Sequence, residues 1–171
     1  MALFRNGGFA EDDWHLLTEE ESLPLDGKVI LSLALWDRYR DDALASNVPL
    51  GLQLEPARSA ATIAKDISRF DLIAIHFPKF TDGRGYSQAR QIRDFGFSGE
   101  LRATGDILYD QLQLLARCGF DAFEITHAAT IRLLETGRGP DLELFYQPSQ
   151  RAEIPENTRP WARRAHIESA R

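Results

Sequence analysis

From residue 28 onward, short apolar runs alternate with longer amphipathic stretches, and that alternation predicts a repeated strand–helix unit. Strands are expected at 29–35, 50–54, 71–77, 100–104 and 120–126, with a sixth at 142–146. Helices are expected at 37–46, 57–69, 86–95, 107–118 and 128–136. Ala60, Ile63, Ala64 and Ile67 recur at helical spacing in the second of these, and Leu108, Leu112, Leu115 and Ala116 share one face of the fourth. Gly137 supplies a stop for the last. Strands that alternate with helices pair in parallel through right-handed crossovers. The apolar 71–77 run suits a strand buried on both faces. The expected fold is therefore α/β, a mainly parallel sheet of five to six strands, either open or curled as a partial barrel of the TIM type.

The first 27 residues follow another pattern. Asn6-Gly7 is a tight-turn signal, and it predicts a β-hairpin with the returning strand near 14–17. Pro24-Leu25-Asp26-Gly27 ends this extension. Residues 28–146 form the expected core domain. Residues 147–171, proline- and charge-rich, form the expected C-terminal tail. One internal echo is visible: Phe70-Asp71 and Phe120-Asp121 each stand where a helix hands over to a strand, within otherwise similar stretches at 67–76 and 116–125. The echo hints at stacked βα units.

Length and charge narrow the classes. A chain of 171 residues fits one domain and buries enough surface to fold without staples. A net charge of −6 argues against nucleic acid and anionic membrane surfaces as partners. No apolar run approaches the ~20 residues of a membrane helix, and the N-terminus carries no secretory pattern, so a cytoplasmic location is expected. Cys118 is the only cysteine, so the chain cannot supply four thiolates to an iron–sulfur cluster or form a dithiol redox pair. No His/Cys spacing typical of zinc is present, and no metal site is expected.

The densest chemistry lies in 77–90. This stretch follows a buried strand and opens a helix, which in a parallel sheet places it at the carboxyl edge where ligands bind. Lys79, Arg84 and Arg90 supply positive charge, Gly83 and Gly85 permit close backbone approach, and Ser87 stands near the helix start. Arg102 on the next strand adds a further cation. Together these form a candidate anion site. A plain surface turn, with Asp82 and Arg84 paired to each other, accounts for the same residues. Asp106 reads as a helix N-cap, and Asp110, four residues on, shares its face. The pair suits either acid–base chemistry or a capped first turn. His76 ends the third strand, His127 follows the fifth, and Glu55 and Glu124 could reach the same edge. The candidate catalytic set is Asp82, Arg84, Asp106, Asp110 and His76, and no cofactor is assigned.

The runs Phe77-Pro78-Lys79-Phe80-Thr81-Asp82-Gly83-Arg84-Gly85-Tyr86-Ser87-Gln88-Ala89-Arg90, Gly99-Glu100-Leu101-Arg102-Ala103-Thr104-Gly105-Asp106-Ile107-Leu108, Asp110-Gln111-Leu112 and Arg117-Cys118-Gly119-Phe120-Asp121-Ala122-Phe123 resemble a bacterial domain family of unknown function, over roughly 28–148. Its members carry a provisional oxidoreductase label tied to sulfite reduction and are encoded near sulfite reductase. The resemblance implies a pathway, assimilatory sulfite reduction, rather than a mechanism. No flavin or nicotinamide fingerprint accompanies it. The expected role is therefore an accessory or partner protein of sulfite reductase. The alternative is a small α/β enzyme or sensor that binds an anionic metabolite at the strand carboxyl edge.

Overall fold

A computed structural model describes residues 1–56 and 58–137. Eight strands form one sheet: β1 (Ala2–Arg5), β2 (Gly8–Ala10), β3 (Trp14–Leu16), β4 (Lys28–Ser32), β5 (Leu50–Leu54), β6 (Leu72–Phe77), β7 (Glu100–Gly105) and β8 (Ala122–Ile125). The helices are α1 (Leu33–Ala45), α2 (Arg84–Asp94), α3 (Leu112–Arg117) and α4 (Ala128–Glu135). The order across the sheet is β2-β1-β8-β7-β6-β5-β4-β3. From β3 to β8 every pair is parallel and every step goes to the next strand in sequence, whereas β1 lies antiparallel between β8 and β2. The expected α/β class holds, with more strands than the five to six read from the pattern. The 142–146 run lies outside the described residues.

The extra strands come from the N-terminus. Asn6 (φ 52°) and Gly7 (φ 78°) make the predicted turn, but the hairpin it closes is β1–β2. The expected returning strand near 14–17 does not pair with it. It is β3, at the opposite edge of the sheet beside β4. Only three residues, Glu11, Asp12 and Asp13, join the two edge strands. Ala10 and Trp14 can be at most about 14 Å apart, yet a flat sheet of eight strands would separate its edges by about 34 Å. The sheet must curl, and it forms a half-barrel.

Helix boundaries shift for local reasons. Ser32 Oγ accepts from the Leu35 amide at 3.2 Å, so the apolar 29–35 run breaks into a strand and a capped helix. The expected helix at 57–69 is two 3-10 turns, Ala60–Ile63 and Ile67–Arg69. There Ser59 and Thr62 bond to the local backbone and compete with a continuous helix. Ala60, Ile63 and Ile67 still face the core. The expected helix at 107–118 is a 3-10 turn at Tyr109–Gln111 followed by α3, because the Gln111 side chain is used elsewhere.

Alternation along the strands sorts two faces. Val29, Leu31, Leu52, Ile73, Ile75, Leu101, Ala103 and Phe123 join the main core beneath the helices. The opposite, concave face carries Ile30, Leu72 and Ala74, capped by Trp14. Farther along it stand Gln53, His76, Arg102, Thr104 and Glu124. Gly51 lies at a tight point of this interior, where a Cβ would come within 2.9 Å of Ile30 and 3.3 Å of Trp14. The Phe-Asp echo has a common structural meaning. Phe70 and Phe120 are both core residues, and each following aspartate bonds the first residues of the preceding strand. Asp71 Oδ2 accepts from Leu50 N and Asp121 Oδ2 from Leu101 N, while their own amides donate to Leu50 O and Leu101 O.

Candidate functional site at the carboxyl edge

The 77–90 stretch does sit at the carboxyl edge, and its internal bonding is dense. Arg84 Nε and Nη2 fork onto the Asp82 carboxylate at 2.9 and 2.6 Å, and the Arg84 amide adds a third bond at 3.1 Å. The Arg84 side chain and amide hold the Asp82 carboxyl down at about 2. Phe80 is clamped on both sides of its backbone: its amide donates to Asp106 Oδ2 at 3.1 Å, and its carbonyl accepts from Gln111 Nε2 at 2.6 Å. Gln111 also bonds the Tyr86 hydroxyl at 3.1 Å. With its backbone fixed, Phe80 is 46% exposed, next to exposed Lys79.

The loop thus gathers Lys79, Asp82, Gly83 and Arg84 with Asp106. It does not gather the rest of the candidate set. Gly85 is buried because a Cβ there would fall 2.5 Å from the Phe77 ring, so its role is packing. Ser87 is exposed and Arg90 half-buried on α2. Asp110 is exposed in the 3-10 turn, and Asp106 precedes that turn, so the two do not share a helix face. Arg102 lies inside the half-barrel.

That interior holds a buried network of ion pairs. Arg102 is fully buried. Its Nη1 reaches across the half-barrel to Asp12 Oδ2 at 2.7 Å, and its Nε donates to Glu100 Oε1 at 2.9 Å. Nη2 lies 2.8 Å from the same Glu100 oxygen, but without hydrogen-bond geometry. Arg5 binds the other Glu100 oxygen at 3.0 Å. Burial alone would lower the Arg102 pKa, but the contacts with Asp12 and Glu100 together outweigh it and hold it above its usual value.

One row nearer the carboxyl edge lie His76, Thr104 and Glu124. His76 pairs in register with Thr104, and Arg102 with Ala122, which sets Glu124 level with Thr104 on the other side. His76 Nδ1 and Thr104 Oγ1 are 3.3 Å apart. The imidazole rests against Gly105 (φ 92°), where a Cβ would meet the ring at 2.9 and 3.0 Å. Glu124 is half-buried and makes no hydrogen bond or ion pair among the described residues, and burial pushes its carboxyl above the ordinary value. Among the described residues no three His, Cys, Asp or Glu side chains converge as a metal-binding group. A groove of about 700 Å³ runs along the opposite edge, beside Leu23, Asp26, Tyr39, Asp42 and Pro49, and contributes no cation.

Asp12, Glu100 and Gln111 carried no sequence signal that linked them to these positions. Arg102 and Glu124 did carry one: each is a charge between two apolar residues of a buried strand, Leu101 and Ala103, and Phe123 and Ile125.

Fold and site define a singly wound α/β half-barrel with a polar carboxyl edge. The family model for bacterial proteins of unknown function (DUF934) matches residues 51–156, well over half of the chain, and the chain belongs to that family. No curated protein and no solved structure matches it. No described helix is long and apolar enough to cross a membrane.

Proposed function

We propose that this chain is a cytoplasmic accessory protein of assimilatory sulfite reduction that acts by docking onto sulfite reductase. The observation that carries the reading is the clamped loop. Arg84, the cation best placed to receive an anion there, is occupied by Asp82, and two further side chains fix the backbone that presents Phe80 and Lys79. A rigid exposed aromatic beside a cation fits the anchor of a protein interface better than a metabolite cradle. The pathway itself comes from the family resemblance of the same run. A deletion strain supplied with sulfate, sulfite, sulfide or cysteine tests it: failure on sulfate and sulfite with rescue by sulfide supports the reading, and normal growth on all four removes it. With purified components, Phe80→Ala should weaken binding to the reductase without changing the fold.

A second reading, a small α/β enzyme or sensor for an anionic metabolite, draws on a different observation. His76 is held at Nδ1, and its Nε2 has no partner among the described residues. A fixed, half-buried imidazole at the carboxyl end of parallel strands is a suitable group to receive an anion or move a proton. Ligand-dependent stabilisation that His76→Gln abolishes would support it.

A further inference from the structure

We propose that the carboxyl end of the concave face binds a small zwitterion of the α-amino-acid class, with Glu124 receiving the ammonium group, His76 Nε2 the carboxylate, and Thr104 standing between them. The proposal rests on the second reading above and names its ligand class. It begins with how the imidazole is held. Thr104 engages Nδ1, and the ring occupies space that exists only because residue 105 is glycine with a positive φ. Two neighbours therefore fix the orientation of the ring, and the nitrogen they leave unused is Nε2.

Glu124 shows the complementary deficit. A half-buried carboxylate without a hydrogen bond bears a desolvation cost that a ligand donor would relieve. The charges beneath it do not settle the account. Arg5, Glu100, Arg102 and Asp12 form a chain of two cations and two carboxylates whose formal charges cancel. Glu124 stands one row above them, attracted by Arg102, His76 and the N-terminal ammonium but hydrogen-bonded to none of them.

Spacing sets the size of the ligand. His76 and Glu124 are two strands apart at the same level, so their Cα atoms are separated by about 10 Å. Thr104, buried, stands on the strand between them. A simple anion would meet the Glu124 charge, and a simple amine would leave the positioned imidazole unused. A molecule with both charges on neighbouring carbons satisfies both.

The test is titration of the full chain with the common α-amino acids and, separately, with the carboxylic acids that lack the amino group. Binding is followed by the His76 ring resonances and by melting temperature. The expected result is that at least one amino acid shifts both readouts at millimolar concentration, that its des-amino carboxylate does not, and that the isosteric Glu124→Gln weakens the response by about tenfold or more, the loss of one charge-assisted contact. If the des-amino acid acts equally well, or Glu124→Gln responds like the wild type, the zwitterion proposal falls while an anion site at His76 stands. If neither series shifts either readout, both fall.

Discussion

The Arg102 network allows a quantitative test of how the half-barrel is held closed. Arg102→Met replaces a fully buried guanidinium with an apolar side chain of similar length and strands the carboxylates of Asp12 and Glu100. Breaking a buried ion pair from one side typically costs 3–5 kcal/mol. Two features of the site pull toward the lower end. The Asp12 side chain is 26% exposed and can turn to water, and Glu100 keeps Arg5. The expected loss is about 3 kcal/mol, a large part of the roughly 5–15 kcal/mol that a domain has. With a urea m-value of about 2 kcal/mol/M, the denaturation midpoint should fall by about 1.5 M. Asp12→Asn should cost less, about 1–2 kcal/mol, because Glu100 still faces the guanidinium. The double variant should be less than additive, since both changes break the same contact. A midpoint within 0.3 M of wild type for Arg102→Met (about 0.6 kcal/mol) would refute the view that this ion pair ties the N-terminal link across the concave face.

Three further outcomes follow from local geometry. Gly105→Ala places a methyl 2.3 Å from the Phe77 carbonyl at φ 92°, and should cost more than about 1–2 kcal/mol in urea unfolding while displacing the His76 ring resonances. Glu124 has a raised pKa, so the folded state holds its proton to higher pH than the unfolded chain. Its cost is absent below the ordinary value near 4.5 and grows as pH rises through the raised one. Glu124→Gln should therefore be more stable than wild type at neutral pH and indistinguishable from it at pH 4 or below, read by thermal melts across pH. Asp82 behaves oppositely: the contribution of its depressed carboxyl is fully present above its ordinary value of 3.8 and is lost as pH falls through about 2. Carboxyl NMR should report that midpoint, and Arg84→Ala should return it toward 3.8.

The core of the fold was legible because burial writes a period-two pattern into strands and a spacing of three or four into helices. β5 and β6 fall within a residue of their expected bounds for this reason. The failures share a cause as well: side chains that bond locally. Ser32 ends a strand inside an apolar run, Ser59 and Thr62 divert a helix, and Gln111 shortens one by reaching back to Leu108 and across to Phe80. No hydrophobic period records such bonds. The position of β3 was illegible for a different reason. Asn6-Gly7 specifies a turn, but nothing in it says which later segment crosses to the far edge, and that depends on a curl that belongs to the whole sheet.

The same distinction governs the site. The loop at 77–90 drew attention through composition, since glycines and arginines near a strand end suggest an anion cradle. Composition cannot tell a cation that waits for a ligand from one that already has a partner, and Arg84 has Asp82 two residues away. Glu124 was visible but undistinguished, one glutamate at an edge where several were possible. Its distinction lies in the hydrogen bond it lacks, and that can be judged only after the carboxylates at 12 and 100, and the arginines at 5 and 102, have been assigned to one another across as many as 95 residues of chain. Bonding across the concave face, rather than residue type along the chain, distinguishes Glu124 and His76 from Arg84.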